Sequence, residues 1–385
     1  MLDARPGEGE PSPALVARGW ASFLLACDDS QLASFEIEGH DATWPDEAPA
    51  SLVELNAQAR QICTLPAMPL SSPSPSAQRR RETPRKRAQV DAFAQVVLPL
   101  AADADRVVDV GSGHGHLTRA IAERLALPVV GLERDATLAE RARRLSSSAS
   151  PSFAQTDVLR DGLAIARGDC VIGLHACGEL GDAMVEAVAR CGASIALVGC
   201  CLQKRSALSR APLSSGLDLG DALDLPRDLL GLSNLTARDD GVEATRAENL
   251  AGRERRLALH RLLSSEGHAL RLGAEIEGLN RRAAQNDLAS LVARAFALRG
   301  RPPPSPPAIE EASAWARAQH ARARRLALPR AMLARVLEVF VMLDRACHLE
   351  ERGYAVRVGT LFPPEVSARN LVLVGTSGAH RAAWK

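Results

Sequence analysis

Residues 106–204 hold most of the side chains in this sequence that could do chemistry, and they recur where short apolar runs end. Asp109 closes the run 107–110, and Gly111, Ser112, Gly113 and Gly115 follow it at close spacing. Glycines there let the backbone take positive φ and approach a ligand, while the first turn of the next helix offers unpaired N–H groups to an anion. Glu133 stands about twenty residues beyond the loop, at the end of the next apolar run, where a carboxylate can accept hydrogen bonds from both hydroxyls of a ribose. The order strand, glycine loop, amphipathic helix, strand, acid is that of a nucleotide-type cofactor site.

Three further run ends are polar. Asp157 follows the third run and is placed either to bond an adenine amino group or to cap the next helix. The fourth ends in His175, Cys177, Gly178 and Glu179, the fifth in Cys200, Cys201 and Lys204. If the fourth and fifth strands are neighbours, His175 and the three cysteines share one small region. Imidazole and thiolates suit zinc, but the sequence lacks the tight C-x-x-C spacing of a structural site, and no metal is assigned. The thiols read first as packed small hydrophobes with only His175 functional, and after that as substrate-binding or redox-sensitive groups.

The loop runs G-x-G-x-G with an acid two residues before it, whereas a dinucleotide fingerprint runs G-x-G-x-x-G. It resembles motif I of class I S-adenosylmethionine (SAM) methyltransferases, which favours SAM over NAD as the cofactor. Under that resemblance Asp109, Gly111, Ser112, Gly113, Gly115, Glu133, Asp157, His175, Cys177 and Gly178 are the expected cofactor-binding residues. Transfer from a sulfonium needs an in-line nucleophile and exclusion of water more than a strong acid or base. His175, Glu179 and Lys204 are the expected catalytic residues on the acceptor side, with orientation of the loop as the other reading of His175 and Glu179.

These groups need a scaffold, and the sequence describes one. Strand-type runs at 107–110, 129–132, 152–155, 170–174 and 194–198 alternate with helical spacing, which predicts a parallel sheet covered on both faces. A helix from residue 85, through Val90, Phe93, Val97 and Leu100, leads into the first strand. Helical spacing also marks 14–27 and 51–65, and later 247–263, 287–298, 310–326 and 330–351, with a turn-rich stretch at 206–235. Two last β-type runs, 354–362 and 370–375, would form a closing hairpin with one antiparallel strand. The expected fold is therefore α/β: a class I methyltransferase Rossmann-like seven-stranded sheet, with a helical N-terminal region and a helical insertion before the closing hairpin. The expected divisions are a helical region 1–66, a Ser/Pro/Arg linker 67–84, a SAM-binding core 85–205, a helical insertion 206–351 and the hairpin 352–385.

Composition narrows the function. A hydrophobic content of 46% in 385 residues supplies an ample core, and 47 basic residues nearly cancel 46 acidic ones. No overall field draws the chain to DNA or to an anionic membrane. No apolar stretch has the roughly eighteen residues of a membrane span, Asp3, Glu8 and Glu10 replace a basic leader, and eight cysteines without a dense framework read as reduced thiols, so a cytoplasmic protein is expected. Arginine abundance beside three lysines (Lys86, Lys204, Lys385) reads as genome composition, and Arg79 to Arg87 is the one basic cluster.

VVDVGSGHGHL, GLHACGEL and VGCCLQK, with TPRKRAQV at 83–90, LARVLEVFVMLDRACHLEERG and LFPPEVSARNLVLVG, together resemble the methyltransferase-like twenty-five family from residue 83 onward. Ala88 and Gln89 stand where that family has His and Glu, Leu202 where it has Tyr, and Ala368 where a proline is usual. The resemblance implies a SAM-dependent methyltransferase. A shorter likeness of the His-x-Cys-Gly and double-cysteine elements to tRNA acceptor-stem 2′-O-methyltransferases brings in RNA. The expected acceptor is an unidentified protein or RNA group, although no basic patch interleaved with aromatics is present and aromatic content is 3%. The alternatives are a catalytically silent SAM sensor or scaffold on the same fold, which retains binding without transfer, and a nicotinamide-dependent oxidoreductase, which would bind NAD.

Overall fold

The computed structural model describes residues 9–70, 82–146, 150–216, 223–235, 245–264, 270 and 273–377. Asp3, Glu8, Arg79, Arg80, Arg81 and most of the expected linker lie outside these residues. By contact the chain forms two compact units, one of Met1–Gln58 with Arg238–Leu333, the other of Ala59–Ala237 with Ala334–Lys385.

The first unit is helical. It holds α1 (Pro13–Ala17), α2 (Trp20–Ala26), α3 (Asp29–Glu38) and the start of α4 (Ala50–Cys63). The single helix expected over 14–27 is divided because Gly19 takes φ 69° between α1 and α2. Sequence reading passed over α3, although Asp28 and Gln31 form a reciprocal capping box at its start.

The second unit opens with α5 (Pro84–Leu100), begun by Thr83, whose hydroxyl accepts from the Lys86 N–H. Then follow β1 (Arg106–Val110), α6 (His116–Ala122), β2 (Val129–Glu133), α7 (Ala136–Arg144), β3 (Ser152–Gln155), α8 (Val158–Asp161), β4 (Asp169–Cys177), α9 (Glu179–Cys191) and β5 (Ser194–Cys200). The stretch expected to be turn-rich carries a small ribbon, β6 (Ser209–Arg210) with β7 (Leu225–Pro226), and α10 (Arg227–Leu230).

Back in the first unit, α11 (Arg246–Ser264), α12 (Leu288–Ala297) and α13 (Pro306–Leu326) bury Leu259, Leu262, Val292, Phe296 and Ala316 together. Glu36 binds both Arg246 and Arg324 there, at 2.6 and 2.7 Å. The chain then continues through α14 (Leu328–Glu350) to β8 (Ala355–Thr360) and β9 (Leu371–Thr376). The stretch 206–351, expected as one insertion, is thus shared between the units. The second part of α14 stays with the sheet because Val339, Met342, Ala346 and Leu349 all pack on it.

The sheet has seven strands in the order β3-β2-β1-β4-β5-β9-β8. The pairs among β1 to β5 are parallel, and β9 runs antiparallel to both β5 and β8, as the closing hairpin was expected to do. Strand side chains alternate between faces, and β5 shows the consequence. Ala196 and Val198 join Val90, Phe93, Leu117 and Ile121 of α5 and α6, while Ile195 and Leu197 join Met184, Val185 and Val188 of α9 with Met342 of α14. Strands buried on both faces explain the near-continuous apolar runs. Strand order reverses at β1, which lies between β2 and β4, and that reversal opens a crevice at the carboxyl ends.

Two strands run further than their apolar runs. β4 reaches Cys177 through an irregularity between Leu174 and Ala176, where His175 takes φ 71°, and β5 reaches Cys200. His175, Cys177 and Cys200 therefore belong to the carboxyl ends of the strands themselves, beyond the runs 170–174 and 194–198 read from the sequence. Polar and sulfur residues ended the apolar pattern while backbone pairing continued.

Candidate active site

A cavity of about 610 Å³ opens at the strand reversal. Of the expected site residues, Gly111, Glu133, Asp157, His175, Cys177, Glu179 and Lys204 line it. Ser112, Gly113, Gly115 and Gly178 stand behind that wall, in the turns that shape it, and Asp109 lies within β1 just before the first of them. Thr156, Leu159, Leu180, Arg134, Arg205 and Ser206 also line it and were not singled out in the sequence. Their common signal is that each lies within two residues of one that was.

Gly111, Gly113 and Gly115 take φ of 74°, 56° and 73°. The turn they form brings the Gly113 N–H to Glu133 Oε2 at 2.9 Å, while the Asp135 N–H donates to Glu133 Oε1 at 3.0 Å. Two backbone donors thus fix the carboxylate, and each oxygen keeps acceptor capacity for a ligand. Asp109 is buried and accepts from the Thr118 hydroxyl at 2.6 Å, which ties the end of β1 to α6. Burial pushes its carboxyl up to about 6, against the pull of the Thr118 hydrogen bond and the Lys86 charge. Its place is structural support of the loop. Asp157 both lines the cavity and caps α8 by accepting from the Leu159 N–H at 3.2 Å, so one carboxylate fits both readings of it.

On the other side of the cavity, His175 Nε2 pairs with Gln89 Oε1 of α5 at 3.2 Å. With that oxygen as acceptor, Nε2 carries the proton and Nδ1 the lone pair. Burial first, then the charges of Lys86 and Arg369, hold the imidazole down at about 4, so it is neutral near pH 7. Gln89, which replaces an acid of the family pattern, is therefore the orienting partner of His175. Glu179 is held by Ser206, whose N–H donates at 2.7 Å and whose hydroxyl donates at 3.0 Å. That contact fits the loop-orienting reading of Glu179. The Glu179 N–H donates to the Lys204 carbonyl at 3.0 Å, joining the ends of β4 and β5.

Gly178 is the tightest point of this join. Its φ is 49°, and a Cβ there would run into the Lys204 carbonyl. Arg345 of α14, wholly buried, donates from Nη2 to the Gly178 carbonyl at 2.9 Å and from Nε to Asp182 at 2.9 Å. Arg210 completes the cluster by bridging Asp182 and Asp344.

These residues fit SAM. The cavity volume is ordinary for a bound small molecule. The Ser112 hydroxyl in the glycine loop is buried without a hydrogen-bond partner among the described residues, and the Glu133 carboxylate is set in place beside the loop. Gly111, Gly113 and Glu133 would hold the sugar and the amino-acid part, and Asp157 would face the base.

The sheet order with its antiparallel β9, the glycine loop after β1 and the acid at the end of β2 are those of the class I methyltransferase Rossmann-like fold. Residues 85–207, about a third of the chain, match a family described as "Methyltransferase domain". Among solved structures the chain is similar to a SAM-bound amino pentose methyltransferase of Micromonospora echinaspora, at 22% identity over 34% of this chain and 59% of that one, TM-score 0.26. It is also similar to the magnesium protoporphyrin IX methyltransferase of Synechocystis with bound SAH, at 19% identity over 32% and 61% of the two chains, TM-score 0.24. The matches span about three-fifths of the length of these structures. Among the described residues no helix is long and apolar enough to cross a membrane.

Proposed function

We propose that the protein transfers a methyl group from SAM to a nucleophilic group on a protein or an RNA. The observation that carries this reading is the fixed Glu133 carboxylate beside the glycine loop, across one cavity from His175 and Lys204. When bound, SAM supplies a methyl group activated by its sulfonium charge. The protein then has to hold the acceptor in line and keep water out.

His175 suits an accepting or orienting role through its free lone pair, because a neutral imidazole held at about 4 is a weak base. Lys204 places a cationic side chain on the same wall, where it suits an acceptor that carries negative charge. Apolar Leu180 and Leu159 line the same cavity, giving it a non-polar stretch of wall. Resemblance from residue 83 onward to the methyltransferase-like twenty-five family supports the assignment, and the cytoplasm is the compartment it suits.

The test is incubation of the protein with SAM labelled in its methyl group and a cell extract, followed by separation into protein, RNA and metabolite. Label in the protein or RNA fraction, lost with Glu133→Ala, is the expected result. Tight SAM binding with no label transferred to any fraction would overturn the assignment of transfer and leave a SAM sensor.

A further inference from the structure

The thiols of Cys177, Cys200 and Cys201 converge so that their sulfur atoms all lie within 4.8 Å of one another. The fold brings this about in two steps. Cys177 and Cys200 are register partners on the neighbouring parallel strands β4 and β5, so their side chains leave the same face, and their sulfurs are 2.8 Å apart. The residue after Cys200 would point to the opposite face if the strand continued. Cys201 instead takes φ 42°, a left-handed backbone rare for a residue with a side chain, and this turn returns its sulfur to the other two.

We propose that Cys177, Cys200 and Cys201 form a tris-thiolate site for a borderline-soft divalent cation, with zinc the best chemical fit. Zinc binds thiolate sulfur at about 2.3 Å, which spaces tetrahedral ligands about 3.8 Å apart, so Cys177 Sγ and Cys200 Sγ, 2.8 Å apart before binding, part by about 1 Å to take the ion. Soft thiolates select such an ion over magnesium or calcium. Three thiolates and one divalent ion leave a single negative charge. Arg369 supplies the balancing cation, with Nη1 2.9 Å from Cys201 Sγ and Nη2 2.7 Å from Asn234 Oδ1, which fixes the guanidinium. As thiols, Cys177 and Cys200 donate to the His175 carbonyl at 3.4 and 3.2 Å, so the irregularity in β4 holds the two sulfurs side by side until the ion displaces their protons.

Binding displaces thiol protons to solvent and moves no electrons. Cys177 also lines the cavity, so the fourth coordination position falls to a water or a donor atom from the cavity side. The site adjoins the proposed methyl-transfer cavity and does not depend on that reading, because metal binding is measured without turnover.

The test uses the full chain, reduced, stripped with chelator and titrated with Co²⁺ under anaerobic conditions, then with Zn²⁺ as competitor. The expected result is one ion per chain, with a thiolate-to-cobalt charge-transfer band whose intensity corresponds to three sulfurs and which Zn²⁺ abolishes. Cys201→Ser should weaken binding about 100-fold or more, and Arg369→Met about 10-fold, as loss of an outer partner does. Cys191→Ser, outside the cluster, should bind as the parent does. Should the cysteine variants fail to fold, the sulfur count from the parent spectrum still decides. No ion retained by folded, reduced protein would overturn the proposal, as would a Cys177–Cys200 disulfide found by mass spectrometry in protein alkylated without added oxidant.

Discussion

Replacing Glu133 separates the two tasks its carboxylate performs. One oxygen accepts from the Gly113 N–H at 2.9 Å and the other from the Asp135 N–H at 3.0 Å, so the side chain anchors the glycine loop before any ligand arrives. Hydrogen bonds to a charged acceptor are worth about 1.5–3 kcal/mol in net stability when shielded, and less at a partly exposed site such as this. Glu133→Ala removes both anchors and the acceptor for the ribose hydroxyls. SAM affinity should fall by about 1–3 kcal/mol, or roughly 5- to 150-fold. Glu133→Gln keeps one carbonyl oxygen, which can meet only one of the two N–H groups, while its amide nitrogen confronts the other. Its loss should stay near the lower end, about 1 kcal/mol or roughly 5-fold. Calorimetric titration with SAM and its demethylated product measures both, and urea unfolding midpoints show whether each variant is folded. Affinity unchanged in folded Glu133→Ala would refute the role given to the loop and its acid.

Other residues give sharper outcomes for pH and stability. The Asp109 carboxyl is raised from 3.8 to about 6 by burial, so the fold favours its protonated form, and that contribution, full below pH 3.8, is lost as pH rises through 6. Asp109→Asn should therefore gain stability relative to the parent at pH 8 compared with pH 4, by up to about 3 kcal/mol, and parallel pH profiles in urea would contradict this. His175 is depressed from 6.5 to about 4, so its neutral form is favoured by the fold; the contribution is full above 6.5 and is lost as pH falls through 4. Methyl transfer should accordingly show no inflection from His175 between pH 6 and 8, and a Glu133-dependent rate that halves near pH 6.5 because of His175 would show the imidazole to be solvated. Arg345→Met removes one of the two buried guanidinium partners of Asp182, which keeps Arg210, and takes the side-chain donor from the Gly178 carbonyl, at about 1–3 kcal/mol by thermal or urea unfolding. A loss below about 1 kcal/mol would mean that water replaces the guanidinium.

The sheet was legible because β1, β4 and β5 are buried on both faces and their apolar runs are bounded by turn residues, so their positions, though not their ends, could be read. Glu133 was legible for the same reason, since distance along the chain from the glycine loop fixes its place. What the sequence did not disclose depends on contacts far apart in the chain. Gln89 orients His175 across 86 positions, and Arg345 reaches Gly178 across 167, with nothing local to mark either pairing. Asp109 read as a ligand of the cofactor by motif, yet Thr118 and burial make it a support. The division of 206–351 was hidden because helical spacing shows which face of a helix is apolar without showing which core receives it.

Two residues with side chains, His175 at φ 71° and Cys201 at φ 42°, occupy a backbone region that suits glycine. Each conformation costs of order 1 kcal/mol or more. A library selected for thermal robustness alone, with chelator present so that no metal rewards Cys201, should therefore enrich glycine at positions 175 and 201, and do so faster than at neighbouring positions. The heat-hardened descendants would carry a smoother chain and an emptied wall. Selection under catalytic demand should restore the original pair, so the contrast between two such campaigns would map where this protein gives up durability for work.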